Sequence, residues 1–442
     1  MSTTTPTRRR PGWWWRRIDT AAGGLALDLG LYAASAAFAA VTAATSTLPP
    51  HRAWGGLAVL GYLGAAIMAL GQLLLRRYRP GSPLAGLPAR WLVTVLNWAA
   101  VALLPLVWQS VQRAAGRTDR AQEEVLVVEE SGQRLAETGT PYLGPDAIAA
   151  LPPDEQLLGY TPYQPAMALF GLPRVATDAW WSDARVWFAI GTTLALLLAV
   201  RALCRSDSAA ETAGNQAAVL RGVQAATVLP ICALTLATGG DDLPVLALCL
   251  LALALAATGR PGSAGLAVGF AGALKLFAWP VAAVLVIWGV RRRAGLRVAV
   301  GALGLPAAAL LPSLVVDRTA LAENVLRFPL GLGLVSSPAQ SPFPGRLIAD
   351  ALPAGRGVAA ALLVAAAVGI AVRLVRRPPR TARTASLVCG YGLLAAILLM
   401  PSTRFGYLLY PVAFLAWAAA LDIAGIRQPA TEDSPQGVDL RT

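Results

Sequence analysis

The stretch GLAVGFAGALKLFAWPVAAVLVIWG, Gly265–Gly289, decides how the rest of the chain is read. At about 1.5 Å per residue it is long enough for one membrane-spanning helix, and its composition is that of a span. Yet Arg260 lies on one side of it and Arg291, Arg292 and Arg293 on the other. A single crossing would carry one basic group outside, against the tendency of Arg and Lys to stay on the cytoplasmic face. Lys275 also sits near its middle, and Pro280 follows shortly after. Two half-helices that meet near Lys275–Pro280, with both feet in the cytoplasm, reconcile the charges and accommodate the proline. Broken helices of this kind are tolerated where they line a cavity.

Outward from this stretch, apolar runs of about 20 residues recur in both directions, the signature of membrane spans. The 442-residue chain is 56% apolar and only 14% charged, against roughly 25% charged in a soluble domain. The fold class is therefore all-α and polytopic, with about ten transmembrane helices plus the broken hairpin. The net charge of +13 does not point to nucleic acid. Its arginines fall in short clusters between apolar runs, as expected beside anionic lipid. The spans are expected near 23–46, 54–75, 91–112, 184–203, 216–237, 243–258, 295–314, 357–374, 386–400 and 406–425. The first run is followed by PPHR and not by a small-residue cleavage site, so it reads as a retained anchor.

The organisation follows. Residues 1–22 form a cytoplasmic tail with RRRPGWWWRR, Arg8–Arg17, whose Trp13, Trp14 and Trp15 suit headgroup depth. Residues 23–113 hold the first three spans, and the Arg-rich 76–90 loop sets their orientation. Residues 114–183 form an extracytoplasmic loop with short helices. Residues 184–426 form a membrane helical domain with the hairpin at 264–290, an outer loop at 315–354 and a polar cytoplasmic loop at 205–215. The tail 427–442 reads as cytoplasmic and disordered. The protein is thus expected in the cell membrane with both termini inside.

Cys204, Cys232, Cys249 and Cys389 lie in or at the ends of spans without paired spacing, and read as small apolar fillers. The single His51 falls in a short loop and cannot make a metal site alone. No phosphate loop or dinucleotide fingerprint occurs. No cofactor and no metal are expected.

Most costly polar groups fall on the outer side. The loop Glu123–Phe170 carries Glu123, Glu124, Glu129, Glu130, Tyr142, Tyr160 and Tyr163. Asp241 and Asp242 occupy an outer turn, Arg327 the second outer loop, and Arg404 and Tyr407 the last outer turn. Lys275 reaches the same level if the hairpin is broken. Ionisable groups at membrane depth point to function. A carboxylate can take a proton from an acceptor hydroxyl while Arg and Lys neutralise a departing phosphate. Blander readings stand beside these. The glutamates could be a solvated helix face, Asp241–Asp242 a turn and cap, Lys275 a snorkelling side chain, and the tyrosines an interfacial belt.

Three stretches carry a resemblance. EEVLVVEESGQRLAETGTPYL (Glu123–Leu143), YTPYQPAMALFGLP (Tyr160–Pro173) and DDLPVLALCLLALALAATGRPGSAGLAVGFAGALKLFAWP (Asp241–Pro280) are similar to segments of polyprenyl-phosphate-dependent membrane glycosyltransferases of the C-type fold. The chain most resembles the bacterial alpha-mannosyl- and arabinofuranosyltransferase-like group, glycosyltransferase family 87 and its relatives. The resemblance implies transfer of a sugar, mannose or arabinofuranose, from a polyprenyl-phosphate donor to a cell-envelope glycan or glycolipid. It also implies a catalytic acid in the first large outer loop. That acid lands on Glu124, eighteen residues before Tyr142, with Glu123 and Asp119 as alternatives. Lys275 resembles the family lysine and would contact the lipid phosphate, with Arg404 or Arg327. Tyr142, Tyr160, Tyr163, Asp241, Asp242 and Tyr407 would bind substrate.

The chain departs from the pattern in three respects. Glu replaces the usual Asp, the acid follows the third span instead of the first, and Asp241–Asp242 stands where a Gln-Asn-like pair is common. Two extra N-terminal spans over 23–75 account for the second. The competing functions are a lipid or solute transporter, which often shows inverted repeats not found here, and a non-catalytic partner in envelope assembly.

Overall fold

The computed structural model describes residues 20–204 and 209–425. The expectations for the Arg8–Arg17 tail, for the tail from Arg427 and for part of the 205–215 loop lie outside these residues. The main helices are α1 (Leu25–Thr45), α2 (Pro49–Tyr78), α3 (Leu87–Ala114, with a π-turn at Ala99–Leu103) and α4 (Glu123–Thr138). They continue as α5 (Ala184–Cys204), α6 (Ala209–Thr227), α7 (Pro230–Thr238), α8 (Asp242–Ala257) and α9 (Pro261–Leu274). The last five are α10 (Trp279–Arg291), α11 (Gly295–Val316), α12 (Gly355–Arg376), α13 (Ala382–Leu399) and α14 (Leu409–Gly425). Among the described residues there is no sheet, only an isolated bridge between Gln340 and Thr403.

Among the described residues, eight helices are long and apolar enough to cross a membrane, or nine if the pair bent by 47° at the α6–α7 junction counts as one span. Every expected run is helical. The count falls below ten because α8, at 16 residues, is shorter than a full span. Nearly all of α8 is buried, and it packs against α5, α9, α13 and α14. A helix apolar all round belongs in the middle of a bundle.

Two boundaries differ from expectation. Pro49 and Pro50 lie in the first turn of α2, where a missing N–H removes no intrahelical bond, so His51 is helical and not in a loop. The helix α6 begins at Ala209, inside the expected 205–215 loop, because an alanine-rich segment continues a helix readily.

The expected hairpin is present. Lys275 is extended (φ −155°, ψ 143°) and separates α9 from a short turn and α10. A broken helix leaves its last carbonyls without partners. Here the Leu274 carbonyl accepts from the Gln164 N–H at 3.1 Å, and the Gly272 carbonyl from Trp279 Nε1 at 3.1 Å. Gly265 at the foot of α9 and Gly289 at the foot of α10 both face Val298 of α11. The two arms therefore return to one end of the bundle. Gly269 abuts the Gly301 backbone, where any Cβ would overlap the carbonyl oxygen. Glycine permits that close approach of helices.

At the opposite end from Lys275, Asp28 is buried and ties three helices together. Arg90 of α3 donates to it from Nε at 2.6 Å, and Arg221 of α6 forms a second ion pair. Gln224 adds a bond at 3.1 Å and continues to Thr94. Replacing Asp28 with Ala removes the buried carboxylate that Arg90 and Arg221 share. The expected destabilisation is about 3–5 kcal/mol, read as a lower thermal unfolding midpoint in detergent.

Candidate active site

The site begins with the first turn of α4. Gln122 is extended (φ −79°, ψ 161°), so the helix starts at Glu123 and Glu124. Carboxylates are favoured at this end because unpaired N–H groups give it partial positive charge. Gly139, at φ 78°, ends the helix in the left-handed conformation that glycine adopts without strain. The apolar face of α4, with Val125 and Val128, is buried, and Glu124 is half-buried.

Arg404 Nη1 bonds Glu124 Oε1 across 280 positions of sequence. The backbone around Arg404 is fixed by the second loop. Thr403 N–H donates to the Ala339 carbonyl and Ser341 N–H to the Thr403 carbonyl, both at 2.9 Å. Phe405 N–H donates to Ser341 Oγ at 2.9 Å. The Ser336–Arg346 stretch thus presents Arg404 to α4.

A second, deeper group lies beside it. The turn Gly239–Gly240, with Gly240 at φ +88°, delivers Asp241 and Asp242 to the start of α8. Lys275 Nζ bonds Asp241 Oδ2 and Asp242 Oδ1, each at 2.7 Å, and all three residues are buried. The ammonium also lies 5.3 Å from the Tyr163 ring centroid and 5.6 Å from that of Tyr407, where ring quadrupoles favour a cation. Tyr410 Oη donates to Asp242 Oδ1 at 2.7 Å. Phe277 stacks on Tyr410 at 5.2 Å and packs on Tyr407 at 4.7 Å. Two carboxylates share one ammonium, which occupies the position between them that a cation would take. Among the described residues, no three His, Cys, Asp or Glu side chains group where they could hold a metal ion together.

The other expected site residues lie elsewhere. Glu123 is exposed. Asp119 is exposed and paired with Arg117 and Arg120; the Arg117 hydrogen bond holds its carboxyl below the usual range. Tyr142 is buried and donates to the Tyr163 carbonyl at 2.8 Å, so it supports the loop from behind. Tyr160 and Arg327 belong to a third cluster. Glu323 accepts from Tyr160 Oη at 3.0 Å and pairs with Arg327 Nε at 2.8 Å, while Phe328 stacks on Tyr160 at 4.2 Å. Those bonds join the segment that follows α4 to the segment that follows α11 and do not include Lys275 or Glu124.

Sequence reasoning missed Tyr410, Phe277 and Gln122. Tyr410 follows Tyr407 at a spacing that places both on one helix face. A signal for Lys275 went further than hydropathy: it is the only lysine in the chain. Gln122 carries no such signal.

Behind α4 runs a buried ionic set. Arg113 holds Glu129 at 2.6 Å and Asp183 at 3.1 Å, and Arg185 holds Asp183 at 2.8 Å. Burial alone would raise the Asp183 carboxyl. The guanidiniums of Arg185 and Arg113 overcome it and hold the group down at about 2 against an ordinary 3.8. A folded-state pKa below the unfolded one contributes stability above the unfolded value, which is lost as pH falls through the folded one. Between about pH 4 and about pH 2 the protein should lose on the order of 2 kcal/mol from this group. A pH series of unfolding midpoints should be flatter in that window for Asp183→Asn.

The fold is a membrane bundle in which two carboxylate–cation groups, Glu124–Arg404 and Asp241–Asp242–Lys275, lie between irregular loops and a broken hairpin. The family model of glycosyltransferase family 87 matches residues 160–402, more than half of the chain, and the protein belongs to that family. It is accordingly a multi-pass membrane glycosyltransferase of a polyprenyl-phosphate-dependent family. No curated protein and no solved structure matches it.

Proposed function

We propose that this enzyme moves a single sugar, mannose or arabinofuranose, from a polyprenyl phosphate to a hydroxyl of a cell-envelope glycan or glycolipid. The site end of the bundle faces outward in this reading, because the opposite ends of α2, α10 and α12 carry Arg76 and Arg77, Arg291, and Arg373 and Arg376. The observation that carries the proposal is the Glu124–Arg404 ion pair beside the Lys275 group.

The two partners of that pair suit the two halves of the reaction. The donor phosphate, an anion, competes with Glu124 for Arg404. Arg404 is the better-placed cation for this, since Lys275 is already held by two carboxylates. Once Arg404 turns to phosphate, Glu124 is released to act as base. The acceptor oxygen bonds to the anomeric carbon, the bond from that carbon to the phosphate oxygen breaks, and the acceptor proton passes to Glu124. The departing phosphate gains one negative charge, which Arg404 neutralises. Asp241, Asp242, Tyr163 and Tyr407 form a polar and aromatic floor suited to sugar hydroxyls.

The test uses purified protein in lipid nanodiscs with a panel of polyprenyl-phosphate sugars. The readout is release of polyprenyl phosphate and transfer of label to an envelope glycolipid extract. Turnover of one sugar by the wild type, lost in Glu124→Gln, supports the reading. A folded wild type that turns over none of the panel overturns it.

A further inference from the structure

Arg185 is fully buried, and its guanidinium makes four side-chain bonds. Nε and Nη2 grip Asp183 at 2.9 and 2.8 Å. Nη1 donates to two backbone carbonyls, Arg120 at 2.7 Å and Ala237 at 3.3 Å. These carbonyls belong to two different segments. Arg120 precedes Glu124 by four residues, and Ala237 precedes Asp241 by four. One guanidinium therefore joins the strand of chain that enters α4 to the end of α7 that leads into the Gly239–Asp242 turn.

The same joint is closed on its other side. Gln122 N–H donates to the Thr238 carbonyl at 3.0 Å, and Thr238 Oγ1 donates to Gln122 Oε1 at 2.7 Å. Arg185 is itself held. Asp183 also binds Arg113, and Arg113 binds Glu129 of α4, whose Oε1 accepts the Ala184 N–H at 3.1 Å. The clamp thus meets α4 both before its first turn and near its middle.

We infer that Arg185 is a positioning residue for sugar transfer: it fixes the distance and angle between Glu124 and the Asp241–Asp242–Lys275 group by tying their two carrier segments together. The inference rests on the proposed role of Glu124 as base. A planar fork is needed to hold a carboxylate and two carbonyls at once, and a lysine ammonium lacks it. Misplacement of a reacting group by about 1 Å can lower a rate about 100-fold.

The test compares Arg185→Lys with wild type, each alone and with Glu124→Gln, in nanodiscs with the accepted polyprenyl-phosphate sugar. Arg185→Lys should lower kcat by about 10- to 100-fold with the donor KM nearly unchanged. On the Glu124→Gln background it should add no further loss, because it acts through Glu124. A folded Arg185→Lys enzyme with wild-type kcat overturns the inference, as does the same proportional loss in both backgrounds. If Arg185→Lys does not fold, Thr238→Val loosens the same joint by one hydrogen bond. A lower kcat at unchanged donor KM then supports the inference, and a wild-type kcat overturns it. Full activity of Glu124→Gln alone would instead remove the proposed base, a separate failure.

Discussion

Glu124→Gln is expected to lower sugar transfer by about 10²–10⁴-fold, the range for loss of a general base. Gln keeps the length and the oxygen that Arg404 bonds, so the fold around Arg404 should persist. It cannot accept the acceptor proton. The donor is expected to bind at least as tightly as in wild type, because a neutral amide competes less with phosphate for Arg404. A drop in kcat without a rise in donor KM is therefore the signature, measured by steady-state kinetics. A rise in KM with kcat intact would assign Glu124 to binding and not to proton transfer. Glu123→Gln and Asp119→Asn serve as comparisons, since both side chains are exposed and neither reaches Arg404. Each should leave kcat within about twofold, as surface substitutions do.

Lys275→Met should lower stability strongly. Met nearly fills the lysine stem's volume, so the effect is one of charge. Asp241 and Asp242 would be left buried beside each other without the ammonium that lies 2.7 Å from both. Breaking a buried ion pair by removing one partner lowers stability by about 3–5 kcal/mol. Thermal unfolding in detergent should show the loss, and transfer should fall with it. Adding Asp241→Asn removes one of the stranded charges and should recover part of the midpoint. Without that recovery, the loss would reflect packing around Phe277 and Tyr163 instead of electrostatics.

The hairpin was legible because charge and hydropathy are local properties. Arg260 and Arg291 on the two sides of an apolar run demand an even number of crossings, and Pro280 and Lys275 mark where a helix can break. The family resemblance likewise rested on contiguous stretches. The rank of the three acids was not legible. Glu123 and Glu124 are neighbours in sequence but differ by about 100° around a helix, and only packing of Val125 and Val128 turns one toward Arg404 and the other to solvent. The grouping of Arg327 with Lys275 looked equally reasonable from hydropathy, since both were expected at one depth. In the fold, Glu323 and Tyr160 hold Arg327 in a separate bracket.

By itself, then, the sequence determined an all-α membrane bundle, a helical hairpin broken at Lys275, and a set of polar groups collected at one end. Each of those follows from the transfer of side chains between water and lipid, which depends on the residue and its near neighbours. Only the tertiary structure decided that Arg404 meets Glu124, that two aspartates hold Lys275, and that Arg185 joins the segments carrying them. Such pairings join residues far apart in the chain, and a buried charge accepts only the partner that arrives at bonding distance with the right orientation.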